Sequence, residues 1–302
     1  MNGVINSCYI STQMKKVGFI INPKSGTDRK INREDLIRQF VPAGLDFEIF
    51  LWKKLEDKEE LFRQAMNSDC TIIAAVGGDG TVNNVAAAVS GSQKALAIIP
   101  FGSGNGLARH LGIPTDTQAA LQLLNKAKTS VIDSCYLNDK AFFCTAGLGF
   151  DAHIGKLFAE SKNRGMASYA WMTLKEISAY KPVRYKLTID GQSSVQEAFL
   201  ITFANSAQYG GNAYIAPEAD IQDGLIDITI IRPFPLYKGL ELAYRLFNKS
   251  LAKSEYVTIL KGKHIQIERI QDGPVQFDGE AAIMGNTIEL RIEPSSLRVI
   301  VP

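Results

Sequence analysis

The first half of the chain is punctuated by short unbroken apolar runs, each closed by a turn. They are Lys16-Val17-Gly18-Phe19-Ile20-Ile21, Phe47-Glu48-Ile49-Phe50-Leu51, Thr71-Ile72-Ile73-Ala74-Ala75-Val76 and Leu96-Ala97-Ile98-Ile99. Continuous runs of this length suit strands buried on both faces. Between them the apolar period lengthens to that of a helix. Leu36, Ile37 and Phe40 share a face over Arg33 to Phe40, and Leu61, Phe62 and Ala65 share one over Asp57 to Met66. Further helices are predicted from Val82 to Val89, from near Leu107, and over Thr117 to Lys126. Strands alternating with helices predict a parallel sheet, whose ligands bind beyond the carboxyl ends of the strands.

After about Ser134 the pattern changes. One long helical stretch, Ala167 to Ala179, is followed by strands in quick succession: Tyr185 to Ile189, Ala198 to Ala204, Leu225 to Ile231, Tyr256 to Leu260, Ile265 to Arg269, Val275 to Phe277, Thr287 to Ile292 and Leu297 to Val301. Asp190-Gly191 is a hairpin-type turn. One helix, Leu236 to Leu251, interrupts them. The expected organisation is a nucleotide-binding α/β domain over 14–133 and a β-rich, mainly antiparallel domain over 134–293. The final strand, 294–302, is a candidate to return to the first domain.

Composition narrows the class. The chain has 302 residues, 46% hydrophobic and 21% charged, with a net charge of +2. That is the balance of a globular protein and carries no nucleic-acid footprint. No apolar run reaches the about 18 residues that cross a bilayer. Met1 to Gln13 lacks the basic start and apolar block of a signal peptide. Cys8, Cys70, Cys135 and Cys144 show neither metal-ligand spacing nor close pairing, so a reducing cytoplasm is the expected setting.

The candidate chemistry sits in the turns. Gly77-Gly78-Asp79-Gly80-Thr81 lies between a buried strand and a helix. Its glycines let the main chain approach a ligand, and the following helix aims N–H groups and the positive end of its dipole into the turn. Such a place attracts phosphate. Asp79 would repel bare phosphate unless a divalent cation or a proton donor lay between them. The plainer alternative is an ordinary turn with an Asp cap. Asn22-Pro23-Lys24-Ser25-Gly26-Thr27 and Gly102-Ser103-Gly104-Asn105-Gly106 leave the same predicted sheet edge, and Lys24 and Arg109 are candidate partners for phosphate charge. Neither the Gly-x4-Gly-Lys-Ser/Thr loop nor the G-x-G-x-x-G fingerprint is present. In the second half, Asp220, Asp223 and Asp227 crowd one turn, a pattern that suits Mg²⁺ or Ca²⁺ and also suits a solvated turn. Phe277-Asp278-Gly279-Glu280 puts two carboxylates at a strand end, where a plain Asp-Gly turn is the alternative.

Together these residues resemble the diacylglycerol kinase catalytic-domain family of lipid kinases, which includes bacterial lipid kinases and the sphingosine and ceramide kinases. The likeness runs from about Lys16 to the end. It rests on Asn22-Pro23-Lys24-Ser25-Gly26, Gly77-Gly78-Asp79-Gly80-Thr81-Val82-Asn83, Pro100-Phe101-Gly102-Ser103-Gly104-Asn105, the Asp220 to Asp227 turn, and Asp278-Gly279-Glu280. The resemblance implies a three-layer α/β domain with a parallel sheet, an antiparallel β-sandwich domain, and ATP in the cleft between them. It implies transfer of the γ-phosphoryl group to a lipid hydroxyl, within phospholipid metabolism. Asn22, Pro23, Lys24, Ser25, Gly26, Gly77 to Asn83 and Ser103 would hold the nucleotide, with Asp79 organising Mg²⁺ through water. Asp223, with main-chain oxygens near Asp220 and Leu225, would bind a metal. Asp278 and Glu280 would supply the proton acceptor. The expected partners are the lipid substrate and a membrane surface touched peripherally, with a homodimer an open option and no nucleic acid.

Many bacterial diacylglycerol kinases carry Gly-Thr-x-Asn-Asp where this chain has Gly102 to Gly106, and Ser-Gly-Asn is closer to the sphingosine and ceramide kinases. The acceptor therefore stays open between diacylglycerol and a sphingoid or ceramide-type lipid. Two other readings compete. An NAD kinase shares the Gly-Gly-Asp-Gly-Thr turn but usually adds an Asn-Glu pair, and no Asn-Glu dipeptide occurs here. A nucleotide-binding regulator without turnover is disfavoured by Asp79, Asp223, Asp278 and Glu280 occurring together. His110, His153 and His264 are scattered and read as structural or surface residues. Phe158, Met166, Tyr169, Trp171 and Met172 form an apolar stripe that suits ordinary packing for the most part, with an acyl-chain wall or membrane contact as the alternative.

Overall fold

The four apolar runs of the first half form parallel strands β1 (Lys16–Ile21), β2 (Asp46–Leu51), β3 (Ile72–Gly77) and β4 (Ala95–Pro100), in the order β2-β1-β3-β4. The computed structural model describes residues 16–23, 32–52, 54–102, 104–126, 128–161 and 166–302. By its internal contacts the chain forms two units, Met1–Ile132 with Ser295–Pro302, and Asp133–Pro294.

In the first unit the helices are α1 (Arg33–Phe40), α2 (Lys58–Asn67), α3 (Asp79–Val89), α4 (Gly106–His110) and α5 (Thr117–Gln122). Asn32 starts α1 by accepting the N–H groups of Glu34 and Asp35. Ile37 of α1 and Ala120 and Leu121 of α5 cover one sheet face, against Phe19, Ala74 and Ile99. The alternate residues Ile20, Ile73, Ala75 and Ile98 are equally buried, on the face where α2 and α3 pack. Burial on both faces explains why these strands read as unbroken apolar runs. Register keeps their carboxyl ends level: Ile21 is opposite Leu51 and Val76, and Gly77 is opposite Pro100.

The chain passes between units along β5 (Lys128–Leu137). The second unit holds β6 (Lys140–Phe142), β7 (Thr145–Gly149), α6 (Phe150–Glu160), α7 (Met166–Glu176), β8 (Val183–Ile189), β9 (Gln192–Ala198), β10 (Leu200–Ala204), β11 (Ile226–Ile231), α8 (Gly239–Phe247), β12 (Val257–Gly262), β13 (His264–Arg269), β14 (Gly273–Phe277), β15 (Glu280–Met284) and the first part of β16 (Thr287–Val301), whose residues from Ser295 on belong to the first unit. One antiparallel sheet runs β12-β11-β10-β7-β14-β15; in the other, β9, β8, β13 and β16 pair antiparallel in that order. Leu148, Phe203, Ile228 and Phe277 of the first meet Leu187, Ile267 and Leu290 of the second in one core. The architecture is thus a parallel α/β unit followed by an antiparallel β-sheet unit.

Several elements depart from the predicted pattern, among them β5 and β15, which lie in stretches without a predicted element. Thr287 to Ile292 and Leu297 to Val301 are one strand, β16, continuous through Ser295, whose φ of 51° is left-handed. Its end pairs with β4 in parallel through Arg298 and Val299. The run from Ala198 to Ala204 is broken at Phe199, where β9 gives way to β10. Helix α6 and the polar strand β9 lie in stretches without a predicted element. Asp190-Gly191 forms the expected two-residue turn, with φ of 46° and 87°. Among the described residues no helix is long and apolar enough to cross a membrane, and Cys70 and Cys135 are buried free thiols.

Candidate functional site

In the first unit the turns after β1, β3 and β4 leave one sheet edge. Gly78 is the N-cap of α3, and among the described residues no side chain caps that helix. Its first-turn N–H groups and the positive end of its dipole favour negative charge at this point. The carboxylate one residue on is directed elsewhere. Asp79 Oδ2 accepts the N–H of Asn105 at 2.9 Å and Oδ1 that of Gly106 at 2.7 Å. These are the first N–H groups of α4, whose own N-cap, Asn105, sits in the left-handed region at φ 51°. The Asn105 side chain instead closes its own loop, accepting from Gly102 N at 3.1 Å and donating to Gly102 O at 2.8 Å. Main-chain donors thus engage both carboxylate oxygens of Asp79.

This joint needs glycine. A Cβ on Gly102 would lie 2.9 Å from the Cα of Gly78, and one on Gly104 would lie 2.6 Å from Asp79 Oδ2. Gly102→Ala therefore forces the two turns apart, with an expected loss of about 1–3 kcal/mol in urea unfolding. Asn22 ties the first turn in, donating from Nδ2 to Thr81 Oγ1 at 3.2 Å. Arg33, buried in α1, donates to Asn22 O at 3.0 Å and lies over the Phe101 ring. Pro23 is exposed, Gly80 half-buried, and Val82 and Asn83 buried. Arg109 Nε donates to Gly104 O at 3.0 Å, which gives it a loop-holding role. Lys24, Ser25, Gly26 and Ser103 lie outside the described residues.

In the second unit Asp278-Gly279 is a two-residue hairpin turn, with φ of 46° and 83° and Phe277 opposite Glu280. Its carboxylate folds back onto the turn that precedes β7. Oδ2 accepts the N–H of Phe143 at 2.8 Å, and Oδ1 those of Cys144 at 2.8 Å and Thr145 at 3.1 Å. Glu280 opens β15 on the surface. Arg269 anchors the same hairpin, donating from Nη2 to Gly273 O at 2.8 Å and Met284 O at 2.6 Å.

The acidic turn is closed by a lysine. Asp220 Oδ1 accepts Gln222 N at 3.0 Å, Asp223 Oδ1 accepts Leu225 N at 2.9 Å, and buried Asp133 accepts Gly224 N at 2.8 Å. The Lys261 ammonium then lies 2.9 Å from Asp223 Oδ2 and 3.0 Å from Asp227 Oδ2. Burial pulls the Lys261 amine down, but Asp223 and Asp227 outweigh it and the net shift is upward. Burial raises the Asp227 carboxyl, with Lys261 opposing. Of the oxygens expected to bind a metal, Asp223 Oδ2 is thus paired with the Lys261 ammonium, while Asp223 Oδ1 accepts the N–H of Leu225. Glu48 and Asp69, which converge near Cys70, are likewise held by Lys16 at 2.7 Å each.

A buried polar group has no counterpart among the sequence candidates. Asp151, in the first turn of α6, receives Tyr209 Oη at 3.1 Å, Gln276 Nε2 at 3.3 Å and Thr202 Oγ1 at 3.4 Å, all on Oδ2. Its Oδ1 is buried without a hydrogen-bond partner among the described residues. Gly147 makes the room, since a Cβ there would lie 2.2 Å from Oδ2. Burial pushes Asp151 up to about 6 from 3.8, with the hydrogen bonds opposing. The folded state thus binds this proton more readily than the unfolded chain. The contribution of Asp151 to stability is fullest below about pH 4, falls as pH rises to about 6, and then levels, a span of roughly 3 kcal/mol at most. Asp151→Asn is expected to remove that slope from urea midpoints measured across the same window. His153 bonds Glu176 of α7 at 3.2 Å, a structural role, and Tyr169 and Met172 pack on the core.

Comparison with known proteins places this geometry. The diacylglycerol kinase catalytic domain matches residues 16–137, and the YegS C-terminal NAD kinase beta sandwich-like domain matches 144–301. An uncharacterized Synechocystis protein is 30% identical over 310 residues, covering 95% of this chain and 70% of that one. A Mycobacterium tuberculosis diacylglycerol kinase is 29% identical over 303 residues, 96% of each chain. The crystal structure of a putative diacylglycerol kinase from Bacillus anthracis shares the fold, with a TM-score of 0.77 at 23% identity over 97% of this chain and 99% of that one.

Proposed function

The chain belongs to the diacylglycerol kinase catalytic-domain family, and from that premise we propose that it is an ATP-dependent lipid kinase. The observation that carries the reading is the uncapped start of α3 among three turns, with the Asp79 carboxylate drawn away from it by Asn105 and Gly106. An anion can approach those N–H groups because both oxygens of the nearest carboxylate are engaged by main-chain donors of another turn. ATP, entering as its Mg²⁺ complex, lays its phosphates on the turns at Asn22, Gly77 to Thr81 and Gly102. The acceptor is the hydroxyl of a lipid, diacylglycerol or a sphingoid or ceramide-type lipid. Asp278, oriented by three N–H groups, takes the hydroxyl proton as the oxygen attacks the γ-phosphorus. The new O–P bond forms as the bond to ADP breaks, and ADP leaves with the electron pair.

The test is incubation of the purified protein with MgATP and total lipid extract, followed by mass spectrometry of the lipid fraction. A phosphorylated diacylglycerol, ceramide or sphingoid lipid is expected. NADP formed from NAD in a parallel assay, or no phosphorylated lipid of any class, overturns the reading.

A further inference from the structure

Helix α8 has two apolar faces, and only one of them is used by the fold. Leu242 is buried and Leu246 packs against the core cluster of Phe199, Ile215 and Leu251. On the other side, Leu240, Tyr244 and Phe247 fall at i, i+4 and i+7, the spacing of a single helical stripe. With Leu236 and Tyr237 of the preceding turn, these five large side chains are 59–79% exposed. A surface helix normally turns polar residues outward, and contiguous apolar exposure marks an interaction site.

A second element also carries exposed apolar side chains. Trp171 and Leu174, on one face of α7, are 72% and 63% exposed. Three residues past Leu174, Ile177 packs on the start of α8, where a Cβ on Gly239 would lie 3.6 Å from Ile177 Cδ1. Two neighbouring elements of the second unit thus present apolar and aromatic side chains outward.

The charge around them selects the occupant. Segments 171–184 and 232–256 carry eight basic residues and three acidic ones, in a chain whose formal net charge is only +2. The remainder of the chain is therefore net acidic, and basic charge is gathered beside the apolar stripe. Of the acidic three, Glu241 is paired with Lys238 and Arg245, and Glu176 with His153. A second copy of the chain would bring like charge against like. An apolar helix face with aromatic tips and flanking lysines suits the boundary between headgroups and acyl chains of an anionic bilayer.

We propose that the outward face of α8, with Leu236, Tyr237, Trp171 and Leu174, docks the protein on membrane surfaces containing anionic lipid. This does not depend on the kinase reading, because docking is measured without nucleotide or turnover.

The experiment is co-sedimentation of the full chain with vesicles of phosphatidylcholine alone and of phosphatidylcholine mixed with phosphatidylglycerol. The protein is expected to bind the mixed vesicles, more weakly as salt rises to about 0.5 M. The triple variant Leu240→Ser, Tyr244→Ser, Phe247→Ser is expected to lose at least about tenfold in partition coefficient with an unchanged melting temperature. Lys175→Glu with Lys253→Glu changes only exposed charges, so it tests the same surface without touching the apolar stripe. It is expected to lose about fivefold per lysine on mixed vesicles. Failure of the unaltered protein to bind mixed vesicles overturns the proposal. So does wild-type binding by both variants, or a dimer in ultracentrifugation that the triple variant dissociates while its vesicle binding persists.

Discussion

Asp278→Asn is expected to lower lipid phosphorylation by about 10²–10⁴-fold while leaving ATP affinity unchanged. The size follows from loss of the proton acceptor. The unchanged affinity follows from the location of Asp278 on β14–β15, in the unit that lacks the glycine turns. Asparagine also disturbs the turn. Its amide presents N–H where the carboxylate presented oxygen, and at least one of the donors on Phe143, Cys144 and Thr145 then meets another donor. A loss of about 1–3 kcal/mol in stability is expected from that alone. Activity is therefore measured well below the melting transition, beside calorimetric titration with ATP. Retained activity in Asp278→Asn would remove the residue from the proposed chemistry, and lost ATP binding would reassign it to the nucleotide.

Asp79→Ala is expected to have the second largest effect, by a different route. It deletes two charge-assisted hydrogen bonds, to Asn105 and Gly106, that join the start of α3 to the start of α4. Each such bond contributes about 1.5–3 kcal/mol, and partial hydration of the exposed donors offsets some of it, so a net loss of about 2–4 kcal/mol is expected in urea unfolding. The turns at Gly78 and Gly102 are then released from each other. Misplacing the phosphate-binding N–H groups by about 1 Å is enough to cost roughly 100-fold in turnover. ATP affinity falls together with activity, in contrast to Asp278→Asn. A variant with intact ATP binding and stability would show that the joint between the two turns is dispensable.

The parallel sheet was legible because β1, β3 and β4 are buried on both faces, whereas a strand with one wet face carries polar residues at alternate positions. The elements that escaped sequence reading have physical reasons. Residues 192–197 of β9 are mostly exposed at the edge of a sheet, so Gln192, Ser193, Ser194, Gln196 and Glu197 leave no apolar alternation to detect. Helix α6 begins directly after the glycines of β7, and its first turn holds Asp151 and its second Gly155, which read as loop. β16 was divided because Pro294 and the left-handed Ser295 look like a terminus.

The site was legible as residue types but not as partnerships. Asp79 and Asp278 stand out beside glycines, yet the N–H groups they accept come from 26 and more than 130 residues away. A main-chain donor has no sequence signal. Lys261 illustrates the reverse case, since a solvated-looking lysine in β12 pairs with Asp223 and Asp227 of an acidic turn that the sequence left open between a metal site and a solvated turn. Asp151 was invisible because its polar partners Thr202, Tyr209 and Gln276 come from three separate segments.

The most direct measurement of the central claim is transfer of isotope from γ-labelled ATP into organic-extractable lipid by the purified protein, run beside Asp278→Asn. Label in a lipid with the unaltered chain, and its disappearance with the variant, is the predicted result. Label recovered only in inorganic phosphate or in a dinucleotide would contradict the account.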